Sequence, residues 1–330
     1  MSKVLRIGMI GCGGNGRGHL KNLVSRGEVQ VVALTEPSRA MLERARQEIP
    51  ALAEVPAYAN HRQMIKHNEL DAVGISTPHT LHFRQVMDAL EAGLHVFCEK
   101  PLTTSVAETR KVIAKSRRKR KVVVVAFQRR LHAMRRFMRS FVRDKAFGRP
   151  LFVQSFCSQG WLSGTRGTWR QKLALSGGGQ LNDTGAHIVD MIFWTMPARP
   201  VEVTALIDNR GTEVDIDSAI SYRFADGALG NISIVGSGPR NLFWEDMTIV
   251  GSSGQALFLR NGVLYASTGT ETLEFKSFGR DGDRVGHFID VIRGRARNES
   301  PPEDFLPTIA FTQACWKSAK LGGKPVKIRY

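Results

Sequence analysis

The sequence predicts an α/β chain: a doubly wound parallel sheet at the N-terminus, followed by an α+β domain with a largely antiparallel sheet. Three observations predict it. Apolar, strand-like runs alternate with helical stretches throughout residues 1–127. A glycine-rich loop follows the first of those runs. Beyond about residue 150 the rhythm changes to extended segments joined by Asp-Gly and Asn-Gly turns. The expected division is 1–127 and 128–330, with the final residues able to return to the first domain. At 330 residues and 42% hydrophobic, the chain can bury two ordinary cores, and its composition is neither disordered nor fibrous.

Each element has a local cause. "KVLRIGMIG" is a strand, and the helix after its glycine loop carries Leu20, Leu23 and Val24 on one face. "VQVVALTE", "DAVGIST", "HVFCE" and "KVVVVAF" are further strands. Between them, "TLHFRQVMDALEAG" is a helix whose Gly93 suits a C-cap, and another begins at Ser105, spaced from Glu108 as in a capping box. In the second half, Asp226-Gly227 and Asn261-Gly262 mark hairpins, while helices are expected near Asn182 and over 306–321.

The longest purely apolar run, Val122 to Phe127, is too short to span a bilayer, and Lys3 and Arg6 interrupt any signal-peptide core. Cys12, Cys98, Cys157 and Cys315 are far apart and lack metal-site spacing, as expected of free thiols in a reducing compartment. These features predict a soluble, cytoplasmic protein without a membrane partner. The net charge of +17 is concentrated: residues 110–149 hold sixteen Lys or Arg against one acid, Asp144. "RRLHAMRRFMRSFVRD" places Leu131, Met134, Phe137, Met138 and Phe141 at helical spacing, which predicts an amphipathic helix with a basic exterior. Without aromatic interleaving or a binding motif, that charge is read as solvated surface or a protein contact, not a nucleic-acid site.

The chemistry-bearing motifs begin with the loop Gly11-Cys12-Gly13-Gly14-Asn15-Gly16 between strand and helix. Its glycines permit a tight turn and close approach to a pyrophosphate, which the helix N-terminus favours. Glu36 ends the second strand about 20 residues after Gly16, where a carboxylate can hold the adenine ribose hydroxyls and repel a 2′-phosphate. NAD is therefore the expected cofactor, with NADP not excluded, because Arg39 could stack on adenine, pair with a 2′-phosphate or face solvent. A glycine turn with a solvated Glu is the alternative.

Ser76-Thr77-Pro78-His79 and Glu99-Lys100-Pro101 end strands of the parallel sheet, where ligands bind in this architecture, so Lys100 is placed to meet the nicotinamide. Pro101 has no N–H and can adopt the cis bond of a tight turn, while Glu99 is expected to help hold that turn. In "GGGQLNDTGAHIVD", Asp183 and His187 stand one helical turn apart and suit proton transfer. A metal site with Asp190, or a core histidine, are the other readings of that pair.

In this order, the glycine loop, "DAVGISTPHTLH", "AGLHVFCEKPL", "GRPLFV" and "GGGQLNDTGAHIVDMIFW" resemble the glucose-fructose oxidoreductase and inositol dehydrogenase (Gfo/Idh/MocA) family over nearly the whole chain. The resemblance implies an N-terminal Rossmann domain and a C-terminal sheet that forms the substrate wall and often an oligomer interface, hence a homodimer or homotetramer. It implies that Lys100 hydrogen-bonds the reacting oxygen, that His187 is the acid/base, and that Asp183 positions a hydroxyl or the imidazole. Thr77, Pro78 and His79 would line the nicotinamide side, His79 standing where Asn is usual. Arg130 matches an arginine often near substrate, with Arg129 beside it leaving the register open. Trp161, Trp169 and Arg170 could contact a substrate with several hydroxyls, although packing accounts for the tryptophans equally well.

The expected reaction is oxidation of a secondary alcohol of a sugar, inositol or related polyol. No resident metal is expected. An NAD-dependent glycoside-cleaving enzyme using transient oxidation, and a non-catalytic dinucleotide-sensing regulator, are the alternatives.

Overall fold

The computed structural model describes residues 3–330. The chain divides into two compact units. One comprises Met1–Thr103, Ala107–Ala126 and Asp283–Glu303; the other comprises Thr104–Val106, Phe127–Gly282 and Asp304–Tyr330. An internal segment, 283–303, thus belongs with the N-terminal residues, while the last residues stay with the second unit.

The first unit runs β1 (Leu5–Ile10), α1 (Gly14–Val24), β2 (Val29–Thr35), α2 (Arg39–Glu48), β3 (Ala57–Tyr58), α3 (His61–His67), β4 (Ala72–Ile75), α4 (His79–Glu91), β5 (His95–Cys98), α5 (Val106–Lys119) and β6 (Val123–Val125). Its six strands pair in parallel in the order 3-2-1-4-5-6. All four residues of β4 and all three of β6 are buried, as strands covered on both faces require. Strand order reverses between β1 and β4, so the glycine loop and the turn at 76–78 emerge side by side at the switch point. The short β3 carries too few residues to be read from periodicity.

The second unit contributes α6 (Ala133–Arg143), β7 (Pro150–Gln159), α7 (Trp161–Gly164), α8 (Leu173–Ser176), α9 (Thr184–Thr195), β8 (Pro200–Asp208), β9 (Asp217–Phe224), β10 (Leu229–Val235), β11 (Phe243–Gly251), β12 (Ala256–Arg260), β13 (Val263–Ser267) and β14 (Thr272–Phe275). After α10 (Arg284–Ile292) of the first unit come α11 (Pro302–Lys320) and β15 (Val326–Lys327). The sheet order is 14-13-12-11-7-10-9-8-15. Both expected hairpin turns form, with Gly227 at φ 89°, Asn261 at 44° and Gly262 at 93°. The sheet is not wholly antiparallel: β7 and β10 pair in parallel. Three helices and two strands separate them, so no tight turn dictates opposite directions. Ile220, Phe224, Ile232, Ile234, Met247 and Ile249 point into the core shared with α9 and α11.

The basic segment differs from its expected solvated face. The apolar stripe of α6 packs as predicted, with Met138 buried and Met134, Phe137 and Phe141 partly buried against the same core, but two buried arginines, Arg130 and Arg135, are used internally, and Arg143 reaches a neighbouring helix. Arg135 donates to the buried Glu245, and Arg130 is clasped by Asp190 and Asp304. Arg143 donates to the carbonyls of Trp194, Thr195 and Met196, capping the C-terminus of α9 where a cation is favoured. Arg139 stacks 4.4 Å over the Trp194 ring. Helical periodicity could not reveal this, because long cationic side chains reach partners outside their own helix. The α5 cations largely follow expectation: Lys115 and Lys119 pair with Glu91, and Arg117 with Glu303. Among the described residues, no helix is long and apolar enough to cross a membrane. All four cysteines are buried and free.

Candidate active site

In the first unit, the glycine loop is shaped by backbone contacts that only glycine permits. Gly11 has φ 93°, and a Cβ there would stand 2.4 Å from the Ser76 carbonyl oxygen; a Cβ on Gly16 would meet the Gly11 oxygen at 2.1 Å. Gly13 and Gly14 have no atom within 4 Å of a Cβ position. That leaves an open cradle at the N-terminus of α1, and its geometry fits a dinucleotide pyrophosphate. Asn15 lies in the first turn of α1.

Glu36 reaches back to this loop, Oε2 accepting from the Cys12 N–H at 2.8 Å and Oε1 from the Ser38 N–H at 2.9 Å. Burial, with the Glu36 charge second, pushes the Cys12 thiol up to about 12, so it stays protonated. Arg39 extends to solvent, its side chain 91% exposed, and pairs with Glu43 on its own helix.

The two strand-end turns are held by Thr77 and by Glu99, the latter as expected, together with partners not foreseen from the sequence: Gln85, His19 and Arg284. Thr77 donates to Gln85 at 2.7 Å, and His79 begins α4 as a buried residue. The Lys100–Pro101 bond is cis, and Lys100 is 9% exposed. Glu99 is the hub of this turn: its Oε1 accepts from His19 of α1 at 2.8 Å and from Arg284 of α10 at 3.4 Å, while Oε2 accepts from the Lys100 N–H. Burial alone would raise the Glu99 carboxyl, but the His19 hydrogen bond and the His19, Arg284 and Lys100 charges outweigh it and hold the carboxyl below its ordinary value. No local pattern marks His19 or Arg284, which are brought to Glu99 only by folding. His82 is different: it lies inside the motif that drew attention to His79 and could have been noticed as its neighbour one turn on.

In the second unit, Asp183 is the N-cap residue of α9 and not a residue within the helix, so it does not share a helical face with His187 in the simple sense expected. Its carboxylate makes no capping bond to the helix. Instead Oδ2 accepts from the Trp161 indole N–H at 3.0 Å and from Arg170 Nε at 3.1 Å. Trp161 is buried against Val214 and Ile216, so its indole serves as wall and donor. Trp169 receives the Arg170 guanidinium 4.6 Å above its ring. His187, 9% exposed, meets the Phe127 ring edge-to-face at 6.1 Å. The preceding loop is fixed by the buried Asp215, which accepts from the Gly179 and Leu181 N–H groups and the Trp316 indole.

Arg130 is committed elsewhere. It is 2% exposed and donates to Asp190 through Nε at 3.0 Å and Nη2 at 2.5 Å, and to Asp304 at 2.6 Å. Burial opposes its charge, but the two carboxylates prevail and hold the guanidinium above its ordinary value. Asp190 is therefore an arginine partner. Arg129 instead donates to Glu245 at 2.6 Å.

Residues 5–127 match the oxidoreductase family with an NAD-binding Rossmann fold (GFO_IDH_MocA), and residues 136–257 match the GFO/IDH/MocA C-terminal domain. The chain belongs to the Gfo/Idh/MocA oxidoreductase family. It is 26% identical over 285 residues to the levoglucosan dehydrogenase of Pseudarthrobacter phenanthrenivorans, covering 77% of this chain and 73% of that protein. It is also 26% identical over 307 residues to the myo-inositol 2-dehydrogenase of Thermotoga maritima, covering 89% and 84%. A solved levoglucosan dehydrogenase in complex with NADH and levoglucosan shares the fold at a TM-score of 0.84, with 20% identity and coverage of 99% and 100%. The first unit thus contains the family's NAD-binding domain, and the chain is an NAD(P)-dependent dehydrogenase.

Proposed function

We propose that this dehydrogenase oxidises a secondary alcohol of a sugar, inositol or related polyol. The observation that carries the reading is the Asp183 carboxylate, anchored by Trp161 and Arg170 at the N-terminus of the helix that bears His187. The names of the relatives, a levoglucosan dehydrogenase and a myo-inositol 2-dehydrogenase, support a substrate with several hydroxyls.

Gly13, Gly14 and the N-terminus of α1 would hold the pyrophosphate of NAD, Glu36 its adenine ribose, and Thr77, Pro78 and His79 the nicotinamide side. When bound, NAD supplies the hydride acceptor. His187 takes the hydroxyl proton as the C–H hydride leaves, and Lys100 stabilises the charge developing on the alcohol oxygen. Asp183 orients a neighbouring hydroxyl or the imidazole, and Arg170 keeps that carboxylate in place.

A panel of polyols, aldoses and glycosides with NAD and with NADP, followed by absorbance and product analysis together, tests it. The expected result is net NADH formation with a polyol or aldose, preferring NAD, and a loss of about 10²–10⁴-fold in kcat for His187→Asn with NADH binding retained. Free sugar released from glycosides without net NADH would replace this reaction with transient oxidation and elimination.

Phe156, Leu206 and Leu229 stand on the sheet face opposite the core and are exposed. We propose that this face joins copies of the chain into a homodimer or homotetramer. Light scattering on purified protein is expected to give two or four times the chain mass, shifted toward one by Phe156→Asp; a monomer at all concentrations would remove the assignment.

A further inference from the structure

One fully buried group is left unused by the proposed chemistry. His82, in the first turn of α4, is 0% exposed, yet both ring nitrogens are aimed at main-chain oxygens. Nδ1 lies 2.8 Å from the Pro101 carbonyl oxygen and Nε2 lies 2.9 Å from that of Thr77. Those two carbonyls belong to the two strand-end turns, one at the end of β4 and one after β5. The ring is therefore a strut between the turn that carries Thr77 and the turn that carries Lys100.

We propose that His82 is a positioning residue that sets the spacing of these two turns and, through it, the direction of Lys100 relative to the nicotinamide side. Peptide carbonyls in buried turns need donors, and a single rigid five-membered ring offers two donor positions pointing in diverging directions. A neutral imidazole donates to one carbonyl while its other nitrogen abuts the second; a protonated ring donates to both. Either way the ring's width sets the separation of the turns.

The surroundings act in both directions on that proton. Burial pushes the ring below its ordinary pKa, the two carbonyls and Glu99 act against burial, and Lys100 adds to it. The His79 ring lies 5.9 Å away. Glu99, held by His19 and Arg284, fixes one side of the lysine turn, and His82 fixes the other through Pro101. A shift of about 1 Å in a reacting group can cost on the order of 10²-fold in rate, so a residue that never touches substrate can have a large effect.

This inference rests on the assignment of Lys100 and Thr77 to the nicotinamide side, and the experiment separates the two. Hydrogen exchange is measured on the whole protein for His82→Leu, which removes both nitrogens, and His82→Gln, which keeps an amide donor able to serve one carbonyl. Steady-state kinetics and NADH binding are followed in parallel. The expected result is faster exchange, by at least tenfold, in both segments 76–81 and 99–103, with β1 and β2 unchanged. With it comes a fall in kcat of about 10²-fold for His82→Leu, partly recovered in His82→Gln, while the NADH dissociation constant moves less than kcat does.

Exchange that rises in only one turn, in neither, or throughout the first unit would overturn the strut, as would unaltered kcat in both variants. If His82→Leu does not fold, His82→Gln alone decides by the same criteria. Coupled exchange of the two turns in a protein whose Lys100 proves dispensable would uphold the strut and refute the site assignment instead.

Discussion

Replacing Lys100 by Met is expected to lower kcat by about 10²–10³-fold while changing NADH affinity by less than about threefold. A preorganised cationic donor at a developing oxyanion contributes on this scale, because it acts on charge that exists in the transition state and hardly at all in the ground state. Methionine keeps the length and apolar stem of the lysine and removes only the ammonium, so the turn should survive: Glu99 still accepts from His19, Arg284 and the N–H of residue 100, although it loses one of the charges that favour its ionised form. Arginine should not rescue the loss, since a planar fork cannot occupy the place of a compact ammonium in a site that is nine-tenths buried. Stopped-flow hydride transfer with tight NADH binding checks the claim. Weakened cofactor binding with an unchanged hydride step would make Lys100 a cofactor-holding group.

The second large effect is on stability. Asp190→Ala should destabilise the second unit by about 3–5 kcal/mol, because the buried Arg130 guanidinium loses its bidentate carboxylate partner. At roughly 2–4 °C per kcal/mol, the unfolding transition should fall by on the order of 10 °C. Replacing both members, Arg130→Met with Asp190→Leu, should recover much of that loss, since well-packed apolar groups of similar volume avoid the cost of desolvating two charges. Calorimetry on the single and double variants decides this. Arg130→Met that raises KM for the alcohol and leaves Tm intact would instead give the guanidinium to the substrate.

These two residues also mark how much was legible in advance. Lys100 could be picked out because its neighbours in sequence state its position: an apolar strand before it, a proline after it, in an open parallel sheet whose ligands lie at strand ends. Arg130 is singled out by the family resemblance alone, and its side chain is spent on Asp190 and Asp304, 60 and 174 positions away. A motif register can align an arginine, but it cannot tell which carboxylates the fold will bring to it. The basic segment followed the same course: the apolar stripe of α6 was correctly legible, whereas the destinations of Arg135 and Arg143 were not.

What the sequence determines by itself is what short-range physics controls. Strand and helix periods, the Gly11 and Gly16 positions that exclude a side chain, the Asp226-Gly227 and Asn261-Gly262 turns, and the hydrophobic alternation of β9 depend on residues near one another in the chain. Only the tertiary structure decides the long-range partners. It makes β7 and β10 parallel, gives Glu99 to His19 from 80 positions away, turns Asp183 from its own helix toward Trp161 and Arg170, and sets His82 between two turns. The physical reason is that a buried polar group must find a partner wherever packing provides one, and the choice among distant partners depends on the whole core being assembled.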